Sequence, residues 1–135
     1  MLELLYILKA VSIFVKDDCH YAFKGVNFKP LHEWADEINE PLSDFIDEIK
    51  ESYLLRKEIA VPRGSEINAK ATEFIPKEIG DSNATILANI RALLEMANRA
   101  ADSAKGDTAG DSDLLGRIGS HLQKHIGLLN LALGE

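Results

Sequence analysis

Helix breakers gather in one central stretch of this chain and leave the sequence on both sides with helical periodicity. Pro62, Gly64, Pro76 and Gly80 all lie between residues 59 and 80. On either side of that stretch, apolar residues recur at steps of three and four, which is typical of amphipathic helices. The pattern predicts long helices before and after one long connection.

Four long helices are predicted, with short first and last connections that make antiparallel hairpins. The predicted helices span residues 2–24, 31–58, 82–103 and 112–133, and a short extra helix is predicted at 65–72. Gly25 suits the end of the first helix and Pro30 the first turn of the second. Pro41 should kink the second helix, and Asp81 or Ser82 can cap the third. One long crossover, between helices two and three, favours an all-α, ferritin-like four-helix bundle in a single domain over residues 1–135.

The composition excludes several classes of protein. The net charge is −7, which argues against general nucleic-acid binding because such binding depends on neutralising phosphates. Cys19 is the single cysteine, so an internal disulfide is excluded, and we expect it to be a small buried residue rather than a nucleophile. The sequence carries neither a spanning apolar run nor the pattern of a signal peptide, so a cytoplasmic location is expected.

The second predicted helix carries the residues that suggest chemistry. His32 and Asp36 are four residues apart, as are Asp47 and Glu51, so each pair occupies one face of the helix. Imidazole and carboxylate ligands suit iron, zinc and manganese, and the ligand types alone do not choose among them. An acidic stripe on a long helix is also commonly a solvated face, and this alternative stays open.

One helix cannot close a metal site from both pairs. Asp36 and Asp47 would lie roughly 16 Å apart along the helix axis. However, two pairs of these residues have the same midpoint in the sequence, between residues 41 and 42. One pair is His32 and Glu51, and the other is Asp36 and Asp47. If two copies of the helix cross antiparallel at that point, the contact generates two identical shared sites.

Several segments resemble the Dps family of mini-ferritins. Residues 20–28 (HYAFKGVNF) and 31–36 (LHEWAD) are similar to the family motifs HWxx(K/R)GxxF and (L/V)HExxD. Residues 47–51 (DEIKE) and 124–126 (KHI) are similar to two later family segments, DxxxE and KHIW. The resemblance extends over residues 5–133.

The resemblance implies an iron-oxidising and iron-storing shell, with iron as its metal. His20, His32 and Asp36 of one subunit would form a ferroxidase centre with Asp47 and Glu51 of its two-fold partner. Hydrogen peroxide or oxygen would be the oxidant, and ferric mineral would be held inside a homo-oligomer, a dodecamer built from two-fold dimers. Such chemistry limits oxidative damage.

Some positions depart from the family's pattern, and the turn before the fourth helix differs from the family's spacing. Tyr21 and Gly127 stand where tryptophans are common, and Tyr21 is a candidate redox residue. Because the family's Lys-rich tail is not seen in the sequence, direct DNA binding is not expected. The resemblance also makes Asp107, Asp111 and Asp113 candidates for a cation-attracting pore, although Asp111 could instead cap the fourth helix.

Two further features and one further function allow a second interpretation. His121 and His125 are one turn apart and could bind a metal, but packing or hydrogen bonding is the more common role of such a pair. Trp34 lies on the opposite side of its helix from His32, which favours core packing. The alternative function is a structural or cargo-binding shell of the same fold without ferroxidase activity.

Overall fold

The described part of the chain, residues 1–56 and 60–134 of a computed structural model, is all-α and contains no strand. The six α-helices are α1 (Leu2–Ser12), α2 (Phe28–Asn39), α3 (Leu42–Arg56), α4 (Gly64–Thr72), α5 (Asn83–Ser103) and α6 (Ala109–Ala132). Within these residues, no helix is both long enough and apolar enough to cross a membrane.

The first predicted helix is a rod with an irregular second half. After α1 the rod continues through a π turn at Ile13–Asp18 and a 3-10 turn at Cys19–Tyr21. It therefore ends before Lys24, earlier than the predicted boundary, and Gly25 follows in the turn with a φ of +82°. A π turn holds one extra residue, so the residues after it are rotated by about 100° relative to a regular helix.

Pro41 divides the second predicted helix into α2 and α3. Proline has no N–H to donate to the carbonyl four residues earlier, which interrupts the helical ladder at residues 40 and 41. Bonding resumes at once, because the Phe45 amide donates to the Pro41 carbonyl at 3.1 Å. The kink predicted at Pro41 falls at this interruption, and helix α2 begins at Phe28, three residues before the prediction. The last predicted residues, 57 and 58, lie outside the described residues.

The remaining helices follow the prediction closely, with one correction. Helix α4 falls in the central connection as predicted and packs against α1. Ser82 caps α5, accepting from the Thr85 amide at 3.1 Å. Helix α6 begins at Ala109 rather than residue 112, because the Thr108 hydroxyl accepts from the Asp111 amide at 3.1 Å. The interpretation of Asp111 as the cap of this helix was therefore wrong.

Two contacts establish the antiparallel direction of neighbouring helices. Arg91, in the first half of α5, donates to the Asn130 side chain near the end of α6 at 3.0 Å. Tyr53 near the end of α3 lies beside the Leu2 backbone at the start of α1. The core between the helices is apolar, with Phe14 and Ile118 fully buried.

Candidate metal centre

Two histidines and an aspartate meet where the α1 rod approaches α2. His20 comes from the 3-10 turn at the end of the rod, and His32 and Asp36 come from consecutive turns of α2. One potential ligand atom from each lies within 4.8 Å of the other two. In the described part of the chain, this is the one group of at least three potential ligand side chains with that geometry.

The two imidazole rings are stacked, and a hydrogen bond sets the state of one of them. Their centroids are 3.6 Å apart and their planes are inclined by 13°. His32 Nδ1 lies 2.7 Å from the backbone carbonyl oxygen of His20. A carbonyl only accepts, so His32 Nδ1 carries a hydrogen, and in the neutral ring the lone pair is then on Nε2, as a metal ligand requires.

His20 is almost fully buried, and both of its ring nitrogens lack a hydrogen-bond partner. Asp36 Oδ1 lies 3.0 Å from His20 Nε2, but the contact is not aligned as a hydrogen bond. An unsatisfied buried polar group costs roughly 1–3 kcal/mol. A cation between these atoms would satisfy the imidazole and the carboxylate together, so the donor set fits a metal ion.

Aromatic rings form a wall beside the cluster. The Phe28 ring lies one helical turn before His32, with ring centroids 5.1 Å apart. Tyr21 meets His20 edge-on at 4.9 Å and is 71% exposed. Phe28 was not predicted as a site residue, although its four-residue spacing from His32 was a usable signal. Tyr21, the candidate redox residue, thus lies directly beside His20.

Asp47 and Glu51 do not belong to this cluster within one chain. Both are exposed on α3, one turn apart. Glu51 shares a hydrogen bond with Asp47 and feels its negative charge, and these two effects raise the pKa of Glu51 above its usual value. Two carboxylates held this close on a surface favour binding a proton or a cation.

The three aspartates proposed for a pore are each paired with an arginine. Asp107 lies 2.7 Å and Asp111 3.3 Å from the Arg56 guanidinium, and Asp113 lies 3.0 Å from Arg117. Asp111 is buried and also accepts from the Ser52 hydroxyl at 2.8 Å. Asp107 and Asp113 are exposed and retain the access to solvent that a pore role needs.

The histidines of α6 are engaged in hydrogen bonds to α2. His125 Nδ1 accepts from Trp34 Nε1 at 3.1 Å, and His121 Nε2 lies 2.8 Å from the Ile38 carbonyl oxygen. These bonds agree with the packing role favoured for the pair and for Trp34. Burial raises the pKa of the Cys19 thiol to about 12, with a smaller contribution from Asp18, as expected for a buried, unreactive cysteine.

Comparison with known proteins gives no relative on which to base an assignment. No family model matches the chain, and neither the curated proteins nor the solved structures contain a match to it.

Proposed function

We propose that this chain is a ferroxidase subunit of a ferritin-like shell and that two-fold-related subunits share its metal centres. Each centre would combine His20, His32 and Asp36 with the partner subunit's Asp47 and the partner subunit's Glu51. The observation that carries the proposal is the convergence of two imidazoles and one carboxylate around an unsatisfied, buried His20.

The donor set is compatible with iron, and the resemblance to Dps proteins is the reason for proposing iron rather than zinc or manganese. Two histidines and one carboxylate that leave further coordination positions open are typical of non-haem Fe(II) sites. The three side chains of one subunit provide such a set. Two further carboxylates from a partner would add the negative charge that stabilises the ferric product and allow a second iron to bind nearby.

Two exposed apolar residues, one helical turn outside the ligands, are compatible with the two-fold arrangement. Phe28 is 39% exposed beside His32, and Leu55 is 79% exposed one turn beyond Glu51. The midpoint of Phe28 and Leu55 in the sequence lies between residues 41 and 42, as do the midpoints of the two ligand pairs. An antiparallel crossing there would bring Phe28 against the partner's Leu55 at the outer edge of each shared site. Large apolar side chains left in water favour such a contact.

The helical architecture supports the ferritin-like part of the proposal. The α1 rod, the α2–α3 pair, α5 and α6 supply four long helical segments, and the connection between the second and third carries α4. A dodecameric shell is the assembly proposed, with ferric mineral stored inside. Twelve chains of 14.9 kDa would give a particle of about 179 kDa.

The proposed reaction balances without a further cofactor. Two Fe(II) ions each lose one electron, and one hydrogen peroxide takes both electrons and two protons to become two waters; oxygen is the other oxidant considered. The chain's own residues would hold the ions and position them together. Consumption of Fe(II) and peroxide would limit oxidative damage.

Subunit complementation tests the shared site most directly. His32→Ala and Asp47→Ala should each slow Fe(II) oxidation strongly, because each removes a ligand from every centre. When the two variants are co-assembled, half of the centres in a mixed dimer lack both residues and the other half are intact. We therefore expect oxidation to return to as much as half of the wild-type rate in mixed dimers.

The control variant is Glu66→Gln, which removes an exposed carboxylate on α4 away from the cluster and should oxidise iron at the wild-type rate. Failure of the mixed dimers to recover, with both variants assembled, would contradict sharing between subunits. Wild-type protein that assembles but does not accelerate Fe(II) oxidation with either oxidant would favour the structural or cargo-binding shell.

A further inference from the structure

Two hydrogen bonds tie α6 to the helix that carries the candidate metal ligands. Trp34 Nε1 donates to His125 Nδ1 at 3.1 Å, and His121 Nε2 donates to the Ile38 carbonyl at 2.8 Å. The first bond starts from a residue two positions from both His32 and Asp36. The face of α2 that carries Trp34 is therefore attached to α6, while another face of the same helix carries His32 and Asp36.

The partners set the protonation state of both rings. A tryptophan N–H only donates, so His125 must be neutral and must keep the lone pair of Nδ1 for Trp34. A carbonyl only accepts, so His121 carries its hydrogen on Nε2. The pair is thus committed to hydrogen bonding, and a metal bound at His125 Nδ1 would displace Trp34.

The hydrogen bond from His121 reaches α2 just before the helical ladder is interrupted at residues 40 and 41. Ile38 lies near the end of α2, just before the interruption at Pro41. Carbonyls at the end of a helix need donors from outside the helix or from water. His121 supplies one from α6, which gives this histidine a function in holding the end of α2 in place.

Protonation of His125 is incompatible with the bond to Trp34. An imidazolium carries hydrogens on both nitrogens, so Nδ1–H would face the indole N–H and both donors would be left without an acceptor. His125 is only 2% exposed, and this burial is the main reason why its pKa is lowered to about 4, with smaller effects from His121 and Lys124.

Acidic residues beside His125 offer the protonated ring alternative hydrogen-bond acceptors. A surface cavity of about 410 Å³ beside it is lined by Glu37, Glu40, Pro41 and Asp44, together with His121 and Lys124. The negative charges of Glu37, Glu40 and Asp44 favour the imidazolium form of His125. His121 and Lys124, its two basic neighbours on α6, oppose that form. A charged ring that leaves Trp34 would therefore find acceptors on the cavity side.

We propose that the hydrogen bond between Trp34 and His125 is an acid-sensitive latch between α2 and α6. Protonation of His125 breaks this bond, releases the Trp34 face of α2 from α6 and loosens the His32–Asp36 half of the metal centre. The latch itself stands on the hydrogen-bond geometry. Its effect on metal binding rests on the function proposed above, and separate measurements test the two parts.

Fluorescence tests the latch without any metal. Trp34 is the only tryptophan of the chain, so its emission reports directly on this contact. In the metal-free assembled protein, we expect a reversible change in emission as the pH falls from 7 towards 4. His125→Asn should remove this transition, because the asparagine carbonyl can accept near the position of Nδ1 but does not titrate. His121→Gln, which keeps a donor for Ile38, should retain the transition.

An unchanged Trp34 emission in the wild-type protein over this range would overturn the latch. An identical transition in His125→Asn, or loss of the transition in His121→Gln alone, would also overturn it, because the titrating group would then be another residue.

Cobalt binding tests the coupling to the metal centre. Co²⁺ titration followed by absorbance at pH 7 should show wild-type affinity for His125→Asn and at least about tenfold weaker binding for His125→Phe, which offers Trp34 no acceptor. A tenfold change corresponds to about 1.4 kcal/mol, which is comparable with the net value of the one hydrogen bond that His125→Phe removes. Equal affinity in the two variants would overturn the coupling. If wild-type protein bound no Co²⁺, the proposed function would fail, while the fluorescence result would still decide the latch.

Discussion

His32 donates its Nδ1 hydrogen to the backbone carbonyl of His20 at 2.7 Å, so one candidate ligand orients the other. The bond joins α2 to the end of the α1 rod and fixes the orientation of the His32 ring beside His20. The same contact thus contributes to the packing of two helices and to the geometry of the metal centre.

His32→Asn should separate these two contributions. An asparagine amide can donate to the His20 carbonyl from near the position of Nδ1, but it has no atom at the position of Nε2. We expect the free energy of unfolding in urea to change by less than about 1 kcal/mol, the net value of one hydrogen bond. Co²⁺ affinity should fall at least tenfold, about 1.4 kcal/mol. Undiminished affinity would remove His32 from the ligand set.

The Asp47–Glu51 pair should be a source of instability in the metal-free protein. Because Asp47 raises the pKa of Glu51, the pair is unfavourable once both carboxyls are ionised, so its cost grows as the pH rises through the raised pKa. Asp47→Asn should therefore raise the urea midpoint at pH 7 while slowing Fe(II) oxidation. Glu66→Gln serves as the matched control, and a lower midpoint for Asp47→Asn would contradict the expectation.

The turn after His20 depends on a side-chain clamp from α5. Asn83 accepts from the Lys24 amide at 3.0 Å and donates to the Lys24 carbonyl at 2.8 Å. Asn83→Ala removes both bonds and should cost about 1–2 kcal/mol of unfolding free energy. Asn83→Asp retains the acceptor and should cost less. Hydrogen exchange at the Lys24 amide should quicken most in Asn83→Ala, and equal exchange in both variants would argue against the clamp.

The three aspartates around the start of α6 should have different roles. We expect Asp111 to be structural and Asp107 and Asp113 to be the candidate pore residues. Asp111→Asn weakens a buried, charge-assisted contact and should lower the unfolding free energy by about 1–3 kcal/mol. Asp107→Asn combined with Asp113→Asn should leave stability nearly unchanged but slow iron uptake, most strongly at low salt where electrostatic steering is strongest. Uptake equal to wild type at every ionic strength would exclude the pore role.

The stability of the fold should depend on pH through His125. Its pKa is lowered to about 4 in the folded chain, so the unfolded chain binds the proton more readily. The unfolding free energy should therefore decrease as the pH falls from about 6.5, the ordinary histidine value, towards 4. Urea unfolding across this range should show a flatter profile for His125→Asn, and an unchanged profile would assign the pH dependence to other groups.

The sequence by itself determined where the helices lie, the irregularity at Pro41 and a cap for α5 at either Asp81 or Ser82, because periodicity, proline and capping residues act over a few neighbouring positions. The same local rule placed His32 one turn from Asp36 and Asp47 one turn from Glu51. Spacing on a helix is independent of what the helix packs against, so these pairs could be predicted without the tertiary structure.

Only the tertiary structure decided how His20, Asp111 and His125 are used. The π turn rotates the end of the α1 rod and directs His20 towards α2, although the sequence carries no clear signal of the extra residue. Asp111 pairs with Arg56 instead of capping α6, and His125 accepts from Trp34, a residue distant in sequence. Such partners are selected by the packing of whole helices, since a side chain bonds to whichever polar group the packed core leaves within reach.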